Sequence, residues 1–106
     1  MFRSVADVEG GDVGTETIFH YREDDGVIHA RYEGGAVTLG FLVGRRDGDR
    51  LDFRYTQLRA DGTTATGHCV SQIEALPDGR LRMNETWEWD SADGSGTSTV
   101  EQVGTA

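Results

Sequence analysis

Residues 80–89, Arg-Leu-Arg-Met-Asn-Glu-Thr-Trp-Glu-Trp, alternate polar and apolar side chains almost without interruption. Side chains point to opposite faces with period two only along a β-strand, so this stretch predicts a strand with one buried face. Its apolar face holds Leu81, Met83, Trp87 and Trp89. Glu85 falls on the same face and interrupts it. The segment therefore predicts a β-strand that carries a carboxylate into apolar surroundings.

Turn-forming dipeptides recur along the whole chain. Asp-Gly and Gly-Gly supply the positive φ angles of tight hairpins. They occur within segments 9–12, 24–26, 34–35, 47–49, 60–62, 77–79 and 92–96. Turns at this spacing predict about eight strands, over residues 2–8, 15–22, 27–33, 36–46, 51–59, 63–76, 81–89 and 97–103. No stretch has the apolar spacing of a helix.

Short loops between successive strands favour an antiparallel meander. Closing the meander removes its two exposed edges, and eight strands form a barrel that side chains just fill or that holds one small ligand. A length of 106 residues fits one domain, residues 1–106. We therefore predict an all-β, single-domain, antiparallel up-and-down barrel. A half-open, curved sheet that dimerises is the alternative, so a homodimer stays open.

The alternation also predicts which side chains fill the barrel. The predicted core contains Phe19, Ile28, Leu39, Phe41, Phe53, Leu81, Met83, Trp87 and Trp89. Leu39 and Phe41 are included because they share the most apolar face of strand 36–46. The phase of strand 63–76 stays open, since small residues occupy both of its faces. Either Cys69 or His68 points inward there, and a bulge would exchange them.

The charge balance excludes two classes of partner. The formal net charge is −9, and every basic residue is arginine. Such a surface repels phosphates and anionic lipids, so we expect no nucleic-acid and no membrane partner. Cys69 is the one cysteine, which excludes an intrachain disulfide. The first residues lack a signal-peptide pattern, and the expected location is the cytoplasm.

Several short segments carry a resemblance to a known family. They are Leu-Asp-Phe-Arg-Tyr at 51–55, Gly-His-Cys at 67–69, Asp-Gly-Arg-Leu-Arg at 78–82, Glu85-x-Trp87-x-Trp89, Tyr32-x-Gly34-Gly35, and Gly-Phe-Leu-Val-Gly at 40–44. Together they resemble a family of small single-domain bacterial proteins often automatically labelled "N-acetylglutamate synthase". The resemblance covers residues 2 to about 101 and implies no catalytic residues and no cofactor. In architecture the predicted barrel is similar to avidin and lipocalin barrels.

Glu85 is the strongest candidate functional residue. A buried carboxylate must be paired, hydrogen-bonded or protonated. A structural role, with Tyr55, Gln57 or an arginine as its partner, and a functional role as ligand anchor or general acid/base both stay open. The candidate ligand-binding residues are Phe53, Tyr55, Gln57, Cys69, Glu85, Trp87 and Trp89. No metal site is predicted, because the three histidines lack close spacing.

Three functions follow from this pattern. The first is a non-catalytic barrel that binds a small, partly apolar molecule, with Glu85 orienting the polar group of the ligand. The second is a small cofactor-free enzyme that uses Glu85 as general acid/base. The third is a filled barrel that acts through its surface as an interaction or assembly module. A pocket of a few hundred Å³ favours the first two, and a fully packed interior favours the third.

Overall fold

The computed structural model describes residues 1–6, 8 and 10–103. It contains eight strands: β1 (Phe2–Ser4), β2 (Ile18–Asp24), β3 (Val27–Gly34), β4 (Val37–Asp47), β5 (Arg50–Arg59), β6 (Thr64–Ala75), β7 (Leu81–Trp89) and β8 (Ser95–Gln102). Each strand pairs antiparallel with its sequence neighbour, and β1 also pairs with β8. The predicted all-β, up-and-down barrel is confirmed. Among the described residues no helix is long and apolar enough to cross a membrane.

Strand β1 closes the barrel with only three residues. Phe2 lies opposite Phe19 of β2 on one side and Gln102 of β8 on the other. The strand was predicted to run to residue 8, but it ends at Ser4, and Asp7 lies outside the described residues. The second strand was predicted from residue 15 and begins at Ile18. The predicted turn at 9–12 includes Glu9, which is also outside the described residues.

Two turns show why glycine is needed where the sequence has it. Asp25 and Gly26, with φ angles of 52° and 78°, form the tight β2–β3 hairpin, whose twist matches that of the strands it joins. Gly34 has a φ angle of 120°, and a Cβ atom there would collide with the carbonyl oxygen of Glu16. Thr17 holds the chain before β2 close to Gly34, because its hydroxyl donates to the carbonyl oxygen of Gly34 at 3.1 Å.

Four aromatic side chains inside the barrel lie directly opposite glycines on neighbouring strands. The pairs are Tyr32 with Gly40, Phe53 with Gly44, Tyr55 with Gly67, and Trp87 with Gly96. A Cβ atom at any of these glycines would touch the opposite side chain. The glycines therefore make room for rings that fill much of the narrow interior, a pairing known from designed and natural sheets.

The prediction for the face of β4 was wrong. Leu39 and Phe41 are 38% and 51% exposed and point outward, whereas Val37 and Leu42 are buried. A register shift between Val37 and Leu39 moves the apolar set to the outer surface. The interior could not have held the larger set, because the Tyr32 ring occupies the space inside Gly40.

The remaining core predictions agree with the structure. Phe19, Ile28, Phe53, Met83 and Trp87 are buried, and Leu81 and Trp89 are partly buried against them. On β6, Cys69 points inward and is buried, while His68 lies on the outer face. The pairing of β6 with both neighbours is regular, so no bulge exchanges the two.

The barrel interior divides into two halves along its axis. We call the end where β7 finishes at Trp89 the Trp half. The opposite end, where β7 begins at Leu81, is the packed half. Its buried side chains are Phe2, Ile28, Leu51, Met83 and Val100. The cavity and most interior polar groups lie in the Trp half.

Candidate functional site

The Trp half contains a cavity of about 50 Å³. All seven predicted ligand-binding residues line it: Phe53, Tyr55, Gln57, Cys69, Glu85, Trp87 and Trp89. Strands β5, β6 and β7 bring them together, because inward residues of adjacent strands face the same interior. Their role in binding stays a prediction. The lining also includes Asp12, Tyr32, Leu42 and Ser98, which the sequence did not single out.

Glu85 lies at the centre of β7, between Ser71 of β6 and Ser98 of β8. The Ser98 hydroxyl donates to Oε1 at 2.9 Å, and the Ser71 hydroxyl donates to Oε2 at 3.2 Å. The Cys69 thiol is 3.8 Å from Oε2. The residue is 7% exposed. The expected partners, Tyr55, Gln57 or an arginine, were wrong: small side chains directly opposite on the adjacent strands hold the carboxylate instead.

Burial raises the pKa of Glu85 above its usual range, and the hydrogen bonds from Ser98, Ser71 and Cys69 oppose that rise. Burial likewise raises the pKa of Cys69, with the Glu85 charge adding to the effect. Raised pKa values of Tyr21 and Tyr32 have the same leading cause. These phenols and the thiol therefore stay neutral near pH 7. A neutral, buried thiol is a poor nucleophile.

Aromatic rings form one wall of the cavity. The Trp87 and Trp89 rings meet edge to face with centroids 5.6 Å apart, and Tyr55 meets Trp89 at 5.9 Å. Edge-to-face pairs of this kind add to the stability gained by burial. A Cβ atom at Gly96 would lie 2.6 Å from Cζ2 of Trp87, so glycine at this position lets the indole lie flat against β8.

Residues 10–13, which we call the mouth segment, cover the cavity. The Asp12 carboxylate accepts hydrogen bonds at 2.7 Å from Nε2 of Gln57 and at 2.7 Å from Nε of Arg59. Nε1 of Trp89 donates to the carbonyl oxygen of Gly10 at 3.2 Å. The turn dipeptide within residues 9–12 predicted only a turn here. Its position over the barrel end depends on contacts with β5 and β7 that periodicity does not reveal.

A short polar chain links the mouth segment to the interior. The Tyr32 hydroxyl donates to Oε1 of Gln57 at 2.8 Å. Nε2 of Gln57 in turn donates a hydrogen bond to the Asp12 carboxylate. Arg59 lies 5.3 Å from the ring centroid of Trp89, within the range of a cation–π contact. Since Arg59 and Asp12 pair with each other, the mouth of the cavity carries no unpaired charge from these two groups.

The outer face holds a separate group of charges. Nε2 of His68 lies 2.6 Å from Oδ1 of Asp52, and Nδ1 lies 3.7 Å from Oε1 of Glu88. The hydrogen bond with His68 lowers the pKa of Asp52. Within the described residues, no group of three or more histidine, cysteine, aspartate and glutamate side chains has the geometry to hold a metal ion.

A closed antiparallel meander with an aromatic cavity and one buried acid at one end defines the class of small β-barrels with an interior pocket. Within that class, the chain belongs to the family described as Avidin-like protein, whose model matches residues 1–103. The predicted similarity to avidin barrels is thereby confirmed, and the resemblance to proteins labelled "N-acetylglutamate synthase" stays a prediction. No curated protein and no solved structure matches the chain.

Proposed function

We propose that the protein binds a small, partly apolar molecule in the Trp half and does not transform it. The observation that carries the proposal is the cavity itself: aromatic rings form its wall, and one carboxylate, that of Glu85, lies among them. Apolar walls with a few placed polar groups are typical of small-molecule sites. The family supports the same conclusion, since avidin-like barrels typically bind small ligands.

The cavity volume limits the size of the ligand. At about 50 Å³, the cavity is smaller than the pocket of a few hundred Å³ that was expected for a binding barrel or an enzyme, although the interior is not fully packed. The space accommodates roughly four water-sized groups. A ligand of a few non-hydrogen atoms fits the closed barrel. A larger ligand has to displace the mouth segment, whose side-chain attachments are the Asp12 hydrogen bonds and the Trp89–Gly10 contact.

The chemistry of the lining favours binding over catalysis. A general acid/base acts together with a second group that attacks or polarises the substrate. The candidate partners of Glu85 in the cavity are Cys69, Tyr32 and Tyr55, and burial raises the pKa of each. Asp12 is already paired with Arg59. The lining therefore supplies one acidic group and no activated nucleophile.

Tryptophan fluorescence tests the proposal, because both tryptophans of the chain border the cavity. We expect small apolar alcohols and amines to change the emission saturably. Native mass spectrometry of protein purified from its own host should also reveal a retained small molecule. Leu42→Phe narrows the cavity, since Leu42 lines it. Val27→Phe is the matched control, because Val27 is 49% exposed on the outside of β3 and is not part of the cavity lining.

The proposal predicts that Leu42→Phe weakens binding and that Val27→Phe does not. Leu42→Met serves as a milder substitution if the phenylalanine variant fails to fold. Equal binding by the wild type and both Leu42 variants would show that ligands bind elsewhere. A protein that takes up none of the probes and retains nothing from its host would contradict the proposal altogether.

We also propose that two copies associate through the outer face of β4. Leu39, Phe41 and Val43 form an exposed apolar row there, and Leu58 of β5 lies opposite Leu39. The outward charges around this row are Arg31, Glu33, Arg45, Asp52 and Arg54. With Asp90, the ion-pair partner of Arg54, they make three arginines against three carboxylates, so this face carries little of the net charge of −9. Two acidic barrels can thus approach here without strong repulsion.

Analytical ultracentrifugation of wild type and Phe41→Glu tests this association. We expect a dimer that dissociates in the variant, with monomer stability changed by no more than about 0.5 kcal/mol, as is usual for surface positions. Thr56→Glu is not a suitable control, since Thr56 lies opposite Phe41. Glu16→Gln, an exposed change at the Trp end, is a better one. A monomeric wild type at all accessible concentrations would contradict the proposal.

A further inference from the structure

We propose that the polar group of the ligand is a cation, so that the cavity selects small organic ammonium ions over neutral and anionic molecules of equal size. This inference rests on the proposed function and specifies the class of ligand. Three observations carry it: the missing counter-ion of Glu85, the aromatic lining beside it, and the pairing of the nearest arginine. Each is independent of the others.

The carboxylate of Glu85 has no positive partner in the part of the chain that the structure describes. Its contacts are the Ser98 and Ser71 hydroxyls and the Cys69 thiol, all neutral donors. None of the ion pairs found in that part of the chain includes Glu85. A buried charge is costly unless it is paired. A cation in the adjoining cavity would supply the missing charge.

The rings beside Glu85 suit a cation as well as an apolar group. Phe19, Tyr32, Phe53 and Trp87 line the same cavity. The face of an aromatic ring carries negative electrostatic potential, and such rings attract ammonium groups most strongly when water is excluded. Aromatic side chains and one carboxylate that border the same small cavity would both stabilise a cation bound there. An anion in the same place meets repulsion from both kinds of group.

The nearest basic residue does not oppose this selection. Arg59 donates to Asp12 at 2.7 Å, so its charge is compensated at the mouth of the cavity. Asp12 itself lines the cavity. The whole chain, with net charge −9, raises the local concentration of cations and lowers that of anions. Long-range and short-range electrostatics therefore favour the same sign of ligand charge.

Cation binding should depend on pH through Glu85. The titratable groups that interact electrostatically with its carboxylate are Tyr21 of β2, Tyr32 of β3, Tyr55 of β5 and Cys69 of β6. Burial raises the pKa of each, so they stay neutral below about pH 9. Asp12 and Arg59 form the ion pair at the mouth. Over this range Glu85 is the interior group whose ionisation changes.

Ligand-detected NMR with three small probes tests the inference. Ethylammonium and ethanol have equal numbers of non-hydrogen atoms and differ in charge, and acetate provides the anion. All measurements are made at one ionic strength. Dissociation constants in the millimolar range are expected for ligands of this size. We expect ethylammonium to bind at least about tenfold more tightly than ethanol, as for a hydrogen bond between charged groups, and acetate not to bind.

Two isosteric substitutions separate the buried charge from the overall charge. Glu85→Gln should reduce ethylammonium binding to the level of ethanol. Glu88→Gln removes the same charge from the outer face of β7 and should keep the tenfold preference. In the wild type the preference should grow as the pH rises through the pKa of Glu85. This pH series keeps the inference testable even if Glu85→Gln does not fold.

The outcomes also distinguish this inference from the proposed function. If ethanol or acetate binds as tightly as ethylammonium, and Leu42→Phe blocks that binding, the barrel binds small molecules but does not select cations. If Glu85→Gln retains the preference, or the wild-type preference does not change with pH, the role given to Glu85 is wrong. If no probe binds in the cavity, both proposals fail together.

Discussion

The Trp half and the packed half of the barrel share one wall but have different interiors. In the packed half, Ile28, Leu51, Met83 and Val100 are at most 3% exposed, and the charged side chains of the same strands point outward. The Trp half instead contains a buried carboxylate, an amide and a cavity. A barrel that needed only stability would fill both halves with apolar side chains, because buried charge costs free energy. This difference is the basis of the ligand site that we propose in the Trp half.

The glycines that lie opposite aromatic rings differ in their surroundings. Gly44 lies between Ile28 of the packed half and Phe53 of the Trp half, and a Cβ atom there would collide with the backbone carbonyl oxygen of Asp52 and with Phe53. In the Trp half, a Cβ atom on Gly96 would meet the outer edge of the Trp87 ring, which borders the cavity. Backbone atoms cannot move aside, whereas the indole can shift into open space.

This contrast gives the prediction with the largest effect. Gly44→Ala should reduce the free energy of unfolding by about 3 kcal/mol, the upper range for overpacking in a tight core. Gly96→Ala should reduce it by about 1 kcal/mol, because Trp87 can move. Urea denaturation followed by circular dichroism measures both. Equal losses would show that the cavity beside Trp87 does not relieve the strain of an added methyl group at Gly96.

The sequence was sufficient to predict the fold for a simple reason. Turn dipeptides separate the strands, and β7 alternates so regularly that Glu85, Trp87 and Trp89 could be assigned to one interior. Strand β4 was different, because both of its faces carry bulky apolar residues or glycines. Hydrophobicity favoured Leu39 and Phe41 as core. Instead, Gly40 faces the interior, because the Tyr32 ring of β3 fills the space beside it.

The candidate site was predicted in part. The seven residues on β5, β6 and β7 follow from strand alternation alone. Asp12 lies in a connection that crosses the barrel end, and its contacts with Gln57 and Arg59 join residues 45 and 47 positions apart. The Ser71 and Ser98 contacts with Glu85 depend on the register of two strand pairs. Alternation gives the face of a residue but not the register of its neighbours.

The second prediction concerns the pH dependence of stability that the buried carboxylate of Glu85 causes. Because burial raises the pKa of Glu85 in the folded state, the folded protein holds a proton that the unfolded chain releases. The stabilisation is therefore complete below the ordinary glutamate pKa of about 4.3. It is lost as the pH rises through the folded pKa, with a slope of at most about 1.4 kcal/mol per pH unit.

Glu85→Gln should remove this slope, and Glu88→Gln should keep it. Stability curves of wild type and both variants, measured by urea denaturation at a series of pH values, provide the comparison. Asp52 has a lowered pKa, so its contribution has the opposite sign and disappears as the pH falls. It is common to wild type and Glu85→Gln and cancels in their difference. A Glu85→Gln curve parallel to that of wild type would mean that Glu85 is ionised in the folded protein at ordinary pKa.

The smallest predicted effects come from two tyrosines whose hydroxyl groups are buried, and they should differ in sign. Tyr21 packs edge to face on Phe2 with centroids 5.3 Å apart, and its buried hydroxyl has no hydrogen-bond partner among the described residues. Tyr32 donates to Oε1 of buried Gln57 at 2.8 Å. A buried polar group without a partner costs about 1–3 kcal/mol. Tyr21→Phe should therefore raise the free energy of unfolding by about 1 kcal/mol.

Tyr32→Phe removes the same atom but should lower the free energy of unfolding by about 1 kcal/mol, because it leaves the Gln57 oxygen without its donor. The two substitutions are chemically identical, so the difference between them isolates the hydrogen bond from the loss of a hydroxyl. Denaturation curves of the two variants measure it directly. If Tyr21→Phe also destabilises the protein, its hydroxyl is satisfied by bound water in solution.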